Sequence, residues 1–90
     1  MSETSLEPDS AVTVIYDAEI ERTAWKVTLP GYEVQMLVAS AITWSHGTTL
    51  HLYRDSFRMS EYVRALVPDK AEAHAIAQLH ASLMAKVVAR

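Results

Sequence analysis

The run from Lys70 to Val88 contains no glycine or proline and is rich in alanine, so it predicts one long α-helix. Asp69 precedes the run and Glu72 follows three residues later, which resembles a capping box with aspartate at the N-cap. Lys86 and Arg90 fall in or beyond the last turn, where basic side chains suit the negative end of the helix dipole. A 90-residue chain that ends in such a helix must supply a surface for it to lie on, and this limits the folds available.

Large apolar side chains recur along this helix at spacings of three and four. They are Ile76, Leu79, Leu83 and Val87, with Ala73 extending the stripe. We expect this stripe to pack into the core. The alternative is a second interaction surface, because Ile76, Leu79 and Leu83 are spaced as in a heptad, although Val87 breaks the strict register.

The first half of the chain alternates between apolar and polar residues, with many β-branched and aromatic side chains. This pattern predicts four strands, at residues 12–20, 24–29, 32–44 and 48–54. Pro30 and Gly31 fit a type II turn between the second and third strands. Residues 32–44 also carry apolar side chains at helical spacings, so a helix remains the alternative there.

Residues 55–66 are expected to form a short helix that ends before Pro68. The predicted order is therefore β-β-β-β-α-α. It describes an α+β domain in which a four-stranded antiparallel meander is packed on one face by a C-terminal helical hairpin. If residues 32–44 are helical, the order becomes β-β-α-β-α-α.

Acidic residues are concentrated at the N-terminus. Residues 1–10 carry Glu3, Glu7 and Asp9 and no base, and this accounts for the whole formal net charge of −3. Apart from Met1, their only large apolar side chain is Leu6, so we expect an acidic disordered tail whose removal leaves the fold intact. Residues 11–90 are expected to form a single domain.

A two-layer domain buries only one face of its sheet, and the alternation predicts which one. The expected core face holds Val12, Val14, Tyr16, Trp25, Val27, Leu29, Val34, Met36, Val38, Leu50 and Leu52. On the opposite face, a partner-binding centre is predicted at Ile15, Leu37, His51 and Tyr53, with Asp17 and Lys26 at its rim.

Most catalytic chemistry lacks the residues that it needs. The chain has no cysteine, which excludes thiolate zinc sites and cysteine nucleophiles. His74 and His80 are six residues apart on the predicted helix and point in different directions, while a chelating pair needs a spacing of four. His46 and His51 have no carboxylate motif beside them. We therefore expect no enzyme activity, no metal and no cofactor.

The sequence favours a protein-binding module, such as an adaptor, an inhibitor or a phage-encoded accessory protein, that acts through the uncovered sheet face and forms a homodimer. One alternative is a small nucleic-acid-binding regulator that uses Arg54, Arg58 and Arg64, although residues 11–90 carry eight acidic and eight basic residues and lack the usual basic excess. Another alternative is a small-ligand pocket lined by Trp25, Trp44 and Tyr16. With no apolar run long enough to span a bilayer and no basic-then-apolar leader, the expected location is the cytoplasm.

Overall fold

Five strands are followed by one helix in the computed structural model, which describes residues 11–29, 31, 34–55 and 60–88. In chain order the elements are β1 (Val12–Asp17), β2 (Arg22–Thr28), β3 (Gln35–Trp44), β4 (Gly47–Asp55), β5 (Ser60–Val67) and α1 (Lys70–Val88). Each strand pairs antiparallel with the next, so the sheet is a meander with the order β1-β2-β3-β4-β5. The structure confirms an α+β domain whose C-terminal helix packs on one face of an antiparallel sheet. The predicted tail at residues 1–10 lies outside the described residues.

The single helix has the bounds that the sequence predicts. Asp69 caps its first turn, because the Oδ1 atom of Asp69 accepts a hydrogen bond from the backbone N–H of Ala71 at 3.1 Å. The carbonyl oxygen of Asp69 accepts the N–H of Ala73 at 3.0 Å, so the helical ladder begins at this residue. Lys86 lies in the last turn, as expected for the helix dipole.

The predicted helix at residues 55–66 is wrong, because Ser60–Val67 forms a fifth strand instead. Val63 and Leu66 are three residues apart, which is typical of a helix, but the stretch also alternates with a period of two. Pairing with β4 decides between the two patterns. Without β5, the long strand β4 would expose a row of unpaired backbone groups at the sheet edge.

Residues 35–44 form a strand, which resolves the ambiguity over 32–44 in favour of β structure. Trp25 of β2 pairs with Ala39, while the next residue, Lys26, pairs with Leu37. Val38 is therefore an extra residue, a β-bulge, and Val38 and Ala39 are both buried beneath α1. In an uninterrupted strand, Ile42 and Trp44 would share a face with Val34, Met36 and Val38. The bulge inverts the alternation beyond it, so Ile42 and Trp44 lie on the opposite face.

The core lies between α1 and the middle of the sheet. Trp25 is 2% exposed, as predicted, and packs with the predicted core residues Val27, Met36, Val38, Leu50 and Leu52. Val14, Tyr16 and Val34 were also predicted to be core and are exposed instead. Five strands span roughly 19 Å at a spacing of about 4.8 Å, while a helix is about 10 Å in diameter. One helix therefore leaves much of the edge strand β1 uncovered.

The helix faces the sheet with its alanines. Ala73, Ala77, Ala81 and Ala85, four residues apart, are almost completely buried. The predicted core stripe of Ile76, Leu79, Leu83 and Val87 is exposed, so of that stripe only Ala73 was correctly placed. Large side chains from the sheet already fill the space between the layers, and β3 opposes the helix with Ala39 and Ala41. Because the side chains on both surfaces are small, the helix and the sheet approach each other closely. The gap between them then has no room for leucine.

Two hydrogen bonds join the sheet to this face of α1. His80, which is buried, donates from Nε2 to the carbonyl oxygen of Tyr53 at 3.0 Å. The indole N–H of Trp25 donates to Oε1 of Gln78 at 3.2 Å. Because each bond depends on which side of the helix faces the sheet, they favour the alanine-inward orientation.

Candidate protein-binding surface

The sheet face turned away from α1 collects the residues that the sequence proposed for partner binding. β1 contributes Ile15 and Asp17, β2 contributes Lys26, β3 contributes Leu37, and β4 contributes His51 and Tyr53; the strand pairings place all six on this face. We call it the uncovered face. The structure brings these residues onto one surface but does not make them a single contact cluster, because they are spread over four strands.

One cross-strand row runs across the whole uncovered face. From edge to edge it consists of Ile15, Ala24, Ser40, His51 and Arg64. The two small residues in its middle, Ala24 and Ser40, are buried, so they form a floor between larger neighbours. Ile15 and His51 are three strand spacings apart, or roughly 14 Å. The low exposure of Ala24 and Ser40 means that the larger side chains around them close over the centre of the face.

His51 and Tyr53 stand on β4 beside the centre of this face. Their rings are stacked, with centroids 6.4 Å apart and planes 9° from parallel. Both residues are half-buried. A pair of stacked rings presents a flat and stiff surface that loses little conformational entropy when a partner covers it.

Three large apolar residues on the uncovered face were missing from the predicted surface. They are Ile42 and Trp44 of β3 and Leu66 of β5, and Trp44 and Leu66 are 51% and 55% exposed. Ile42, Thr49 and Leu66 stand in one cross-strand row next to the Ser40 row. The sequence did contain a signal for Ile42 and Trp44, because Ser40 interrupts the apolar alternation of 32–44. If one extra residue is allowed before Ser40, then Ser40, Ile42 and Trp44 all fall on the face opposite to the core. Leu66 was missed because its segment was assigned to a helix.

Trp44 stands at one end of the uncovered face and is held there by polar and ring contacts. Its indole N–H donates to the hydroxyl oxygen of Thr49 at 3.0 Å, and its ring stacks on His46 at 6.3 Å. Gly47 pairs with Trp44 and has a φ of +145°. A Cβ atom on Gly47 would lie 3.2 Å from the carbonyl oxygen of Val67 and 3.1 Å from Leu66 Cδ1, and L-residues rarely adopt this φ, so the position favours glycine.

A cleft of about 550 Å³ opens beside Trp44. Its walls are Ile42, Thr43 and Trp44 of β3 and Glu19, Ile20 and Glu21 of the β1–β2 turn. The turn is fixed to the sheet because the N–H of Thr43 donates to the carbonyl oxygen of Glu21 at 2.9 Å. Glu21 adopts a left-handed conformation, with a φ of 50°. The cleft thus extends the apolar surface around Trp44 to the edge of the sheet.

The Glu21 carboxylate points to the helix side of the sheet and ties the β1–β2 turn to the start of α1. Tyr16 donates its hydroxyl proton to Oε1 of Glu21 at 2.8 Å, and the ammonium of Lys70 lies 3.7 Å from Oε2. The hydrogen bond to Glu21, with smaller contributions from desolvation and nearby carboxylates, raises the pKa of Tyr16. These exposed contacts position the turn that forms one wall of the cleft.

The two alternative hypotheses depend on other residues. Arg64 lies on the uncovered face beside His51, whereas Arg54 is the extra residue at a register shift near the end of β4. Arg58 lies outside the described residues. The proposed ligand-pocket residues do not share one face: Trp25 and Tyr16 lie on the helix side of β2 and β1, one buried and the other exposed, whereas Trp44 stands on the other face.

The histidines occupy separate environments. Within residues 11–29, 31, 34–55 and 60–88, no group of three histidine or carboxylate side chains is placed to hold a metal ion. His74 packs edge-on against Trp25, with ring centroids 5.2 Å apart, and its Nε2 atom is buried without a hydrogen-bond partner among the described residues. Burial, and then the charge of Lys70, lowers the pKa of His74.

No helix among the described residues is both long enough and apolar enough to cross a membrane.

Comparison of the chain with models of protein families, with curated proteins and with solved structures found no match.

Proposed function

We propose that this protein is a non-enzymatic binding module that holds another protein on the uncovered face of its sheet. The observation that carries the proposal is the composition of this face. Ile15, Ile42, Trp44 and Leu66 are partly or largely exposed on one side of a rigid sheet. Several large apolar groups exposed on one face are typical of interaction sites.

The arrangement of side chains supports a protein as the partner. The small residues Ala24 and Ser40 lie buried at the centre of the face, and the stacked rings of His51 and Tyr53 stand beside them. Aromatic residues near the centre of a surface match the usual anatomy of protein interfaces.

The charges on the face support the same conclusion. Asp17 lies opposite Arg22 at one end of a cross-strand row, and Lys26 and Arg64 stand in other rows. Charges of both signs around an apolar centre fit a protein partner with a mixed rim. Nucleic-acid surfaces carry a continuous excess of basic side chains instead.

The test is a charge placed in the middle of the apolar surface. Ile15→Glu should weaken binding of the partner by about 1 kcal/mol or more, roughly fivefold, because a carboxylate would be buried against apolar groups. Tyr53→Glu should do the same from β4, on the other side of the centre of the face. The measurement is affinity capture from an extract of the organism that encodes the chain, with quantitative mass spectrometry of the retained proteins.

Val14→Glu is the matched control, because Val14 is the neighbour of Ile15 in β1 and faces the other side of the sheet. The two side chains are 50% and 44% exposed, so the substitutions perturb folding to a similar extent. Proteins retained by the wild type and Val14→Glu but lost from Ile15→Glu and Tyr53→Glu would support the proposal. Retention by all four proteins would contradict it. Recovery that nuclease treatment abolishes would identify nucleic acid as the partner instead.

A further inference from the structure

The outward side of α1 is an apolar surface that the described part of the chain leaves exposed. Ile76, Leu79, Leu83 and Val87 all stand on this side, and Leu79 is the most exposed of them, at 62%. We call these four residues the outer stripe. Helices of soluble proteins normally turn their large aliphatic side chains inward, but here alanine occupies the inward side.

Two charged residues mark the ends of this surface symmetrically. Glu72 and Lys86 are each seven residues from Leu79. Seven residues rotate around the helix axis by two full turns less about 20°. Both therefore point almost in the direction of Leu79, one about 10.5 Å toward the N-terminus and the other about 10.5 Å toward the C-terminus. Both are exposed, and neither forms an ion pair within the described part of the chain.

The symmetric placement of Glu72 and Lys86 about Leu79 makes this surface complementary to a second, antiparallel copy of itself. We propose that two copies of the chain associate through the outer stripe as an antiparallel pair of α1 helices, with Leu79 at the two-fold axis. Glu72 of each copy then lies opposite Lys86 of the other. Ile76 lies opposite Leu83 of the other copy, so large apolar groups meet on both sides of the axis. A two-fold interface requires such reciprocal contacts.

The charges also disfavour the parallel pairing. A parallel pair in register would place Glu72 against Glu72 and Lys86 against Lys86, and both contacts are repulsive. The antiparallel pair replaces them with two attractions and also opposes the helix dipoles favourably. Ala71 and Ala75, on the other side of Leu79 from the rest of the outer stripe, are small enough for the helices to approach closely.

The proposed dimer does not depend on the binding role of the uncovered face. The outer stripe is on the side of α1 that faces away from the sheet, and the uncovered face is on the side of the sheet that faces away from α1. The two surfaces therefore point in opposite directions. Substitutions on one surface therefore leave the other intact, and each proposal can fail alone.

Sedimentation equilibrium tests the dimer directly. The wild type should show a concentration-dependent dimer between about 1 µM and about 1 mM, the range for a small interface. Leu79→Glu brings two carboxylates together at the two-fold axis and should raise the dissociation constant at least tenfold. Ile15→Glu, which adds the same charge to the uncovered face, should dimerise like the wild type. A wild type that stays monomeric throughout this range, or a Leu79→Glu variant that dimerises normally, would overturn the proposal.

Single cysteines distinguish the antiparallel geometry from any other use of the same stripe. The natural chain contains no cysteine, so Leu79→Cys and Val87→Cys each introduce the only thiol. In the antiparallel pair the two thiols of the Leu79→Cys dimer meet at the axis and form a disulfide on mild oxidation. The two thiols of the Val87→Cys dimer are about 24 Å apart along the helices and cannot be linked. Similar exposure at the two positions, 62% and 59%, makes them a matched pair. Efficient cross-linking at position 87 and none at position 79 would overturn the antiparallel arrangement.

Charge reversal supplies an independent measurement of the register. Glu72→Lys and Lys86→Glu each convert two attractive contacts of the dimer into two repulsive ones. Each variant alone should therefore dimerise about 5- to 30-fold more weakly than the wild type, given the usual size of exposed ion pairs. An equimolar mixture of the two restores both attractions and should form heterodimers close to the affinity of the wild type. Unchanged self-association of both variants would show that these residues do not meet across the interface.

Discussion

The orientation of α1 makes a quantitative prediction about two neighbouring positions. Ala77 is completely buried and Leu79 is 62% exposed. Ala77→Leu adds three carbon atoms to a closed contact between helix and sheet, and we expect it to lower the free energy of unfolding by about 2–3 kcal/mol or more. Leu79→Ala removes a side chain of which about two fifths is covered. With about 1.5–3 kcal/mol for complete burial, the loss is about 0.6–1.2 kcal/mol.

Urea denaturation followed by far-UV circular dichroism measures both changes. The total stability of a domain of this size is about 5–13 kcal/mol, so both variants should remain folded in the absence of urea. The measurement belongs at the lowest usable protein concentration, where self-association contributes least to the apparent stability of the wild type. The slope of unfolding against urea should be the same in all three proteins, which shows that the change lies in stability.

The reverse order of the two effects would refute the reasoning. If Leu79 were core, Leu79→Ala would cost about 2–5 kcal/mol, and Ala77→Leu at a surface position would change stability by about 0.5 kcal/mol or less. The two orientations thus differ in which variant is the more damaged, so the test does not depend on the accuracy of either magnitude.

Three further predictions concern the core, the helix cap and pH. Trp25→Ala should lower the free energy of unfolding by about 3–5 kcal/mol in the same urea assay, because it empties a large core site; near-native stability would contradict the assignment. Asp69→Ala should cost about 1 kcal/mol, since it removes the side-chain cap of α1, whereas Asp69→Asn should cost less. The pKa of His74 is lowered in the folded protein from its ordinary value of 6.5. As the pH decreases, His74 therefore takes up a proton in the unfolded chain at a higher pH than in the folded protein. Stability should therefore be unaffected by His74 above that pH and fall as the pH decreases below it; His74→Gln should flatten this part of the pH profile, and an unchanged profile would contradict the role of His74.

The elements that the sequence predicted well are those specified by local chemistry. The bounds of α1 follow from a capping aspartate and a run without glycine or proline, and Asp69 makes the expected hydrogen bond. Trp25 was placed in the core because it alternates in phase with Val27 within a short strand, and both are buried. Neither conclusion required knowledge of a distant part of the chain.

The errors arose where distant parts of the chain decide the outcome. β5 is a strand because β4 offers it a partner, and no residue within 60–67 reveals that. The bulge at Val38 adds one residue and thereby moves Ile42 and Trp44 to the other face. Since side chains alternate with a period of two, one unrecognised insertion reverses every later assignment in the strand.

The helix shows a different limit of sequence analysis. A period of 3.6 residues reveals that α1 has two distinct sides, but it does not say which side turns inward. Transfer free energy alone favours burying Leu79 and Leu83. The space left by Trp25 and Leu50 favours alanine, and the hydrogen bonds of His80 and Gln78 join the sheet to the alanine side. Packing volume and polar contacts therefore determine the orientation, and both depend on the sheet.

The two exposed apolar surfaces are the consequence of covering a five-stranded sheet with one helix that turns its small residues inward. The uncovered face and the outer stripe lie on opposite sides of a two-layer molecule, so a dimer formed through α1 has four layers, with a sheet at each end. Both uncovered faces then point away from the dimer and remain accessible. Binding at one surface does not consume the other, and effects of substitutions at such separate sites are additive. A module with this arrangement presents two equivalent binding faces, and a partner that carries two matching sites would be held more tightly than either face could hold it alone.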